Sequence, residues 1–278
     1  MANSFTSQEI NILIADHKKL LDDLSSIQQI RQKYRKNIST YAQELLTAEV
    51  LKTLRTISID EINREKKGFR IKLLKENGYN TIADIANVSA YRISAIYGIS
   101  TDTARAIKYE VDEIISKTRQ VTKIRISADN KTTSSTQLIQ AITQYDRCLP
   151  FEKESQTLIS GFQNVINAEI EKIVPAVHGF KWLFASGAKK RAAQDAYNTL
   201  KQLLIENYGT TARKLICDAD GLDNISFSEA WNSFDKEPIK FINILESVVP
   251  GILGNDDSVY GLPDDLAREI EKQPVYRN

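Results

Sequence analysis

Residues 97 to 109, YGISTDTARAIKY, place one glycine, the hydroxyls of Ser100, Thr101 and Thr103, and the cations Arg105 and Lys108 within thirteen positions. Glycine tolerates positive φ and lets a backbone approach a ligand closely. A helix that starts just after it leaves amide N–H groups without intrahelical acceptors. Those amides, at the positive end of the helix, suit a phosphate oxygen. On this reading Gly98, Ile99, Ser100 and Thr101 supply backbone amides, Thr103 a hydroxyl, and Arg105 and Lys108 exposed charge. None of these groups reads a base edge, so recognition would be of the nucleic-acid backbone and independent of sequence. The alternative is a turn that only packs two helices together.

Lys189, Lys190 and Arg191 form a second basic group near Trp182 and Phe184. Phosphate contact with base stacking is one use of such a group. The ordinary one is a pair of aromatic core anchors beside a solvated helix start.

Other chemistries find little to work with. The chain has no G-x-x-x-x-G-K-[ST] sequence; SGAKKRA, residues 186 to 192, lacks the second glycine and the hydroxyl residue. ATP hydrolysis by this chain is therefore not expected. The two histidines, His17 and His178, are far apart in sequence, as are Cys148 and Cys217. No catalytic residue, metal site or cofactor is expected from them.

The elements that must hold these groups read as helices. From Ile10 to Leu45 apolar positions alternate in steps of three and four, interrupted by His17 and Arg31. That heptad seam predicts a long helix in an antiparallel hairpin within the monomer. Thr6 or Ser7 would cap it, without a capping box. A second helical set is expected from residue 151, after Leu149-Pro150, with Leu158, Ile159, Phe162, Val165, Ile166, Ile170 and Ile173 on its apolar face. The polar stretch RISADNKTTSSTQ reads as a linker with Ser135 or Thr136 as the next cap. A Ser-Gly break at 186 and 187 opens a further helix ending at Gly209. Between 71 and 116 four short helices with turns at Gly78 and Gly98 close a small core of Leu73, Leu74, Ile82, Ile85, Ile93, Ile96, Ile99, Ala104 and Ile107.

Residues 71 to 116 resemble the tandem helix-hairpin-helix DNA-binding fold. In that family a hairpin of hydrophobic residue, glycine, hydrophobic residue, glycine precedes a packing alanine, and this chain matches at Tyr97, Gly98, Ile99 and Ala104. Ser100 stands where the second glycine is usual, which puts closest backbone approach in question. Gly78, Tyr79, Thr81 and Ile82 match the first turn of such a pair. The resemblance implies DNA binding through the Gly98 turn. More broadly, the order of segments is similar to the accessory region that precedes the motor in bacterial SWI/SNF-type helicase-like ATPases, with EKQPVYRN as the approach to the motor.

Composition is that of a globular chain: 42% hydrophobic and 26% charged residues, with a net charge of +1. That figure hides an asymmetry. Residues 208 to 278 hold seven Lys or Arg against thirteen Asp or Glu, leaving thirty against twenty-three before them. A polyanion would bind the earlier part, locally rather than through overwhelming charge. Two isolated cysteines and no leader or apolar span predict a cytoplasmic protein with no membrane partner.

The expected fold is all-α, a long helical hairpin or bundle with an inserted helix-hairpin-helix domain. Its expected divisions are long N-terminal helices (1–66), the hairpin domain (67–120), linker and second helical set (121–209) and an acidic short-helix region (210–278). Two functions remain open: sequence-independent DNA binding beside a helicase motor, or a non-catalytic scaffold binding proteins through the long helices or the acidic end.

Overall fold

The computed structural model describes residues 5–129, 131–177 and 182–253, with the backbone alone at Asn207. His178, Asn130 and residues 254–278, which include EKQPVYRN, lie outside the described residues. Within them the fold is all-α, and the extended pairing consists of two isolated bridges, Ser58 with Thr81 and Ile124 with Leu253. No described helix is long and apolar enough to cross a membrane.

Helix α1, Ser7–Leu54, runs for 48 residues without a glycine or proline to stop it. Its seam is buried at Ile10, Leu13, His17, Leu20, Leu24, Ile27, Tyr34, Ile38 and Leu45, while Arg31 is exposed. Contrary to the expectation from sequence, a capping box does form. The Thr6 hydroxyl accepts from the Glu9 amide at 3.2 Å, and the Glu9 carboxylate accepts from the Thr6 amide at 2.6 Å.

The chain forms two compact units. The first comprises Met1–Asn37 and Ile139–Lys236. Here α1 pairs antiparallel with helix α6, Thr133–Ile173: Ser7 donates to the Val177 carbonyl, Ser155 to the Leu24 carbonyl, and Arg31 to the Tyr145 hydroxyl. Their core also takes Ala193, Ala196 and Leu200 of α7, Gly187–Ile205, and Tyr208, Ala212 and Leu215 of α8, Asn207–Asp220. A 3-10 turn, Gly221–Asn224, leads to α9, Phe227–Lys236.

Three boundaries differ from the sequence reading. Helix α6 starts at Thr133, capped by Thr132 rather than Ser135 or Thr136, since the Thr132 hydroxyl accepts from the Ser135 amide at 3.1 Å. It passes through Pro150 without ending; proline removes one backbone hydrogen bond but leaves the packed apolar face in place. Helix α7 stops at Ile205, and Gly209 lies within α8. A Cβ there would sit 2.1 Å from the Leu204 carbonyl oxygen, so glycine is required for close approach of two helix ends, not as a cap.

The second unit comprises Ile38–Leu138 and Glu237–Asn278. It contains a 3-10 turn Ile59–Asn63, the short helices α2 (Ile71–Glu76), α3 (Ile82–Ala86) and α4 (Ala90–Ser94), the longer α5 (Thr101–Val121), and α10 (Pro238–Val248). Of the expected small core, Leu74, Ile82, Ile85, Ile93, Ile96, Ile99, Ala104 and Ile107 are buried and Leu73 is half-buried. Arg119 of α5 donates to Gln43 of α1 at 2.6 Å, and the Ile124 amide donates to the Ile252 carbonyl at 3.1 Å.

Candidate nucleic-acid interface

Gly78 lies in the turn that joins α2 to α3, and Gly98 in the turn of the hairpin that α4 makes with α5. Both glycines have positive φ, 88° and 91°. The second turn is pinned from both sides: Ile96 and Ile99 are buried, and the Ile99 amide donates to the Ile96 carbonyl at 3.0 Å. That bond removes Ile99 from the set of amides open to a ligand, and its side chain serves the core.

Ser100 is the N-cap of α5. Its hydroxyl accepts from the Thr103 amide at 3.2 Å and lies 2.9 Å from the Thr103 hydroxyl. Thr103 is thus engaged locally through both groups. Among the described hydrogen bonds, the amides of Gly98, Ser100, Thr101 and Asp102 donate to no protein acceptor, and all four residues are exposed. They face solvent at the start of a 21-residue helix, where the dipole favours an anion.

The cations sort into paired and open ones. Lys108 was expected to be exposed, but only 25% of its side chain is. Its ammonium donates to the Ala86 carbonyl at 2.7 Å and pairs with Asp112 at 2.7 Å. Lysine here caps the carbonyl end of α3 and fastens it to α5. Lys67 is held by Glu110 and Glu65, with a pKa raised chiefly by the Glu110 hydrogen bond. Lys75 pairs with Asp60 at 2.7 Å. Arg105, with its side chain 72% exposed, meets only Asp102 among the described ion pairs, at 3.6 Å. An exposed pair at that distance is weak and easily exchanged for a phosphate.

Arg70 was missed in the sequence. Its guanidinium Nη1 lies 3.1 Å from where a Cβ of residue 98 would be, and it has no acidic partner among the described ion pairs. It reaches the turn from the start of α2, a juxtaposition made only by tertiary packing. Its signal in the sequence is indirect: an arginine opening the first hairpin, two residues after Gly68.

The motif match at Tyr97 also shifts. Ile96 is the hydrophobic residue that packs, whereas Tyr97 is 97% exposed. Ala104 is fully buried.

In the first unit, Lys189 and Arg191 are exposed on the first turn of α7, capped by Ser186, and Lys190 donates to the Leu183 carbonyl at 3.1 Å. Trp182 is buried in the core but Phe184 is 79% exposed, so only one of the two aromatics is an anchor. His17 is buried, and its Nε2–H donates to the Leu200 carbonyl at 2.9 Å. Burial holds its pKa below the usual histidine value. No group of His, Cys, Asp and Glu among the described residues could hold a metal.

No family model, curated protein or solved structure matches the chain.

Proposed function

We propose that this protein binds DNA through its phosphates at the Gly98 turn, without reading base sequence, and that it works beside a helicase-like, DNA-dependent motor. The observation that carries the first part is the open set of Gly98, Ser100, Thr101 and Asp102 amides at the start of α5, with Arg70 and Arg105 alongside. Residues 67 to 120 hold nine Lys or Arg against six Asp or Glu, a mildly basic setting. The Asp102 carboxylate at the same helix start opposes a phosphate and keeps affinity modest. The motor rests on the resemblance in segment order alone.

The test is fluorescence anisotropy of labelled duplex DNA across a salt series. Phosphate binding predicts a log–log slope of roughly −0.9 per contact. Arg70→Glu with Arg105→Glu should flatten that slope in a protein whose circular dichroism is unchanged.

A second reading, a protein-binding scaffold, draws on the exposed Leu183, Phe184 and Ile205 of the first unit. It predicts no DNA binding at any salt concentration.

A further inference from the structure

We infer that Tyr97 makes the Gly98 turn select DNA carrying an unstacked base, such as a gap, frayed end or single strand, over continuous duplex. The inference rests on the phosphate-binding reading above and adds the structure of the DNA that is preferred.

At 97% exposure Tyr97 makes almost no packing contribution to its own fold. Its position is nonetheless rigidly set. Ile96 before it and Ile99 after it are buried, and Gly98 between them has the positive φ that turns the chain. The ring is therefore held away from the core on a short, anchored stretch of backbone.

Tyr97 is three residues from Ser100, a separation of at most about 11 Å along extended chain. The open amides of Ser100 and Thr101 thus belong to the same turn as an exposed aromatic ring, and the guanidinium of Arg70 reaches that turn at Gly98. A nucleotide presents the complement of both: a phosphate for the amides and cation, and a flat π surface for the ring. Aromatic stacking tolerates any base, because every base has such a face. In continuous duplex those faces are covered by their neighbours and the ring gains nothing. Where a base is unstacked, its face is available.

Tyr91 provides an internal control. It is 84% exposed on α4 of the same hairpin, but seven residues from Gly98 rather than next to it. Generic stickiness of exposed tyrosine would involve it equally.

The experiment compares anisotropy titrations of a continuous duplex and the same duplex with a short central gap. It uses the full chain, Tyr97→Ala, Tyr97→Phe and Tyr91→Ala, with 2-aminopurine placed in the gap as a stacking probe. The unaltered protein should prefer the gapped DNA and quench the probe. Tyr97→Ala should lose about tenfold or more on gapped DNA, the range expected for one stacked base, and little on duplex. Tyr97→Phe should retain both preference and quenching, and Tyr91→Ala should behave as the unaltered protein. Equal binding of the two DNAs overturns the inference and leaves phosphate binding standing. So does a Tyr97→Ala loss that is the same on both, or an equal loss in Tyr91→Ala. No binding of either DNA at low salt by the folded, unaltered protein overturns the phosphate reading and this inference together.

Discussion

The Gly78 and Gly98 hairpins share a plan and differ in what they leave open. Each has a glycine at φ near 90° followed by a hydroxyl N-cap, Thr81 or Ser100. At the first, among the described hydrogen bonds, the amides from Gly78 to Ile82 and that of Asp84 are occupied, and Ala83 alone in this stretch has no acceptor. Asn80 and Thr81 donate to the Asp84 carboxylate at 2.9 and 2.8 Å, Ile82 to the Ile57 carbonyl at 3.0 Å, and Asp84 to the Thr81 hydroxyl at 3.3 Å. At the second, the cap takes one side-chain bond from Thr103 and leaves the first amides of α5 to solvent. A glycine turn before a helix is therefore insufficient for an anion site. The capping box converts the same backbone into a closed joint, and its absence keeps the backbone available.

The largest effect expected from this contrast is on binding. Replacing Arg70 and Arg105 by glutamate should weaken duplex affinity by about tenfold or more at low salt and make the salt slope less steep by roughly 2 units, one per lost contact. Lys72→Glu on the closed hairpin, where Lys72 is exposed and meets Glu76 at 3.8 Å, should change neither quantity appreciably. Equal losses from both changes would show general basicity rather than a site.

Backbone substitutions come next. Gly98→Ala should cost about 1–2 kcal/mol for the positive φ and more for space, since the added Cβ would meet Arg70 and Leu73 at 3.1 Å each. Gly78→Ala meets nothing within 4 Å and should cost the φ penalty alone. Urea denaturation of the two variants measures the difference. An equal loss of stability would mean that Arg70 and Leu73 move aside freely.

Sequence legibility followed the range of the interactions. The α1 seam, the four helix starts between 71 and 101 and the burial of Ala104 are set by local periodicity and turn chemistry, and they are present as expected, although the fourth helix is long rather than short. The Thr6–Glu9 box has the required three-residue offset, so its signal is present in the sequence. Pro150 misled because the sequence rule weighs one lost hydrogen bond and not the packing on both sides of it. Gly209 looked like a stop because its purpose, clearance of the Leu204 carbonyl, depends on how one helix end meets the next. In the candidate site, Gly98 and the helix start were legible. Arg70 and the diversion of Lys108 to the Ala86 carbonyl were not, because each depends on a partner more than twenty residues away.

A glycine at the cap offers a finer test of the open hairpin. Ser100→Gly should cost only a few tenths of a kcal/mol, because glycine is an acceptable N-cap. It also removes the hydroxyl that engages Thr103, so duplex affinity should rise in the same anisotropy assay. Thr81→Gly on the closed hairpin should leave affinity unchanged, since Asp84 and Ile57 still occupy its neighbours. A rise in both would locate the gain in general loosening.

The smallest effect isolates the closure itself. The Asp84 carboxyl has a pKa lowered first by the Thr81 amide; desolvation opposes this next, and the Asn80 amide and the Thr81 hydroxyl add smaller lowering contributions. A folded-state pKa below the unfolded value stabilises the fold at pH above the ordinary aspartate value of about 4, and the contribution disappears as pH falls through the depressed value. Asp84→Asn mimics the neutral form. Because the group is largely exposed, the stability gap between the parent and this variant should be no more than about 1 kcal/mol at neutral pH after solvent screening. Urea midpoints taken at neutral pH and then at successively lower pH should show the gap closing as the pH falls through the depressed value. A gap that persists in acid would assign the effect to the shape of the side chain. The distinction between a hairpin closed by charge and one left open to an external anion would then need another basis.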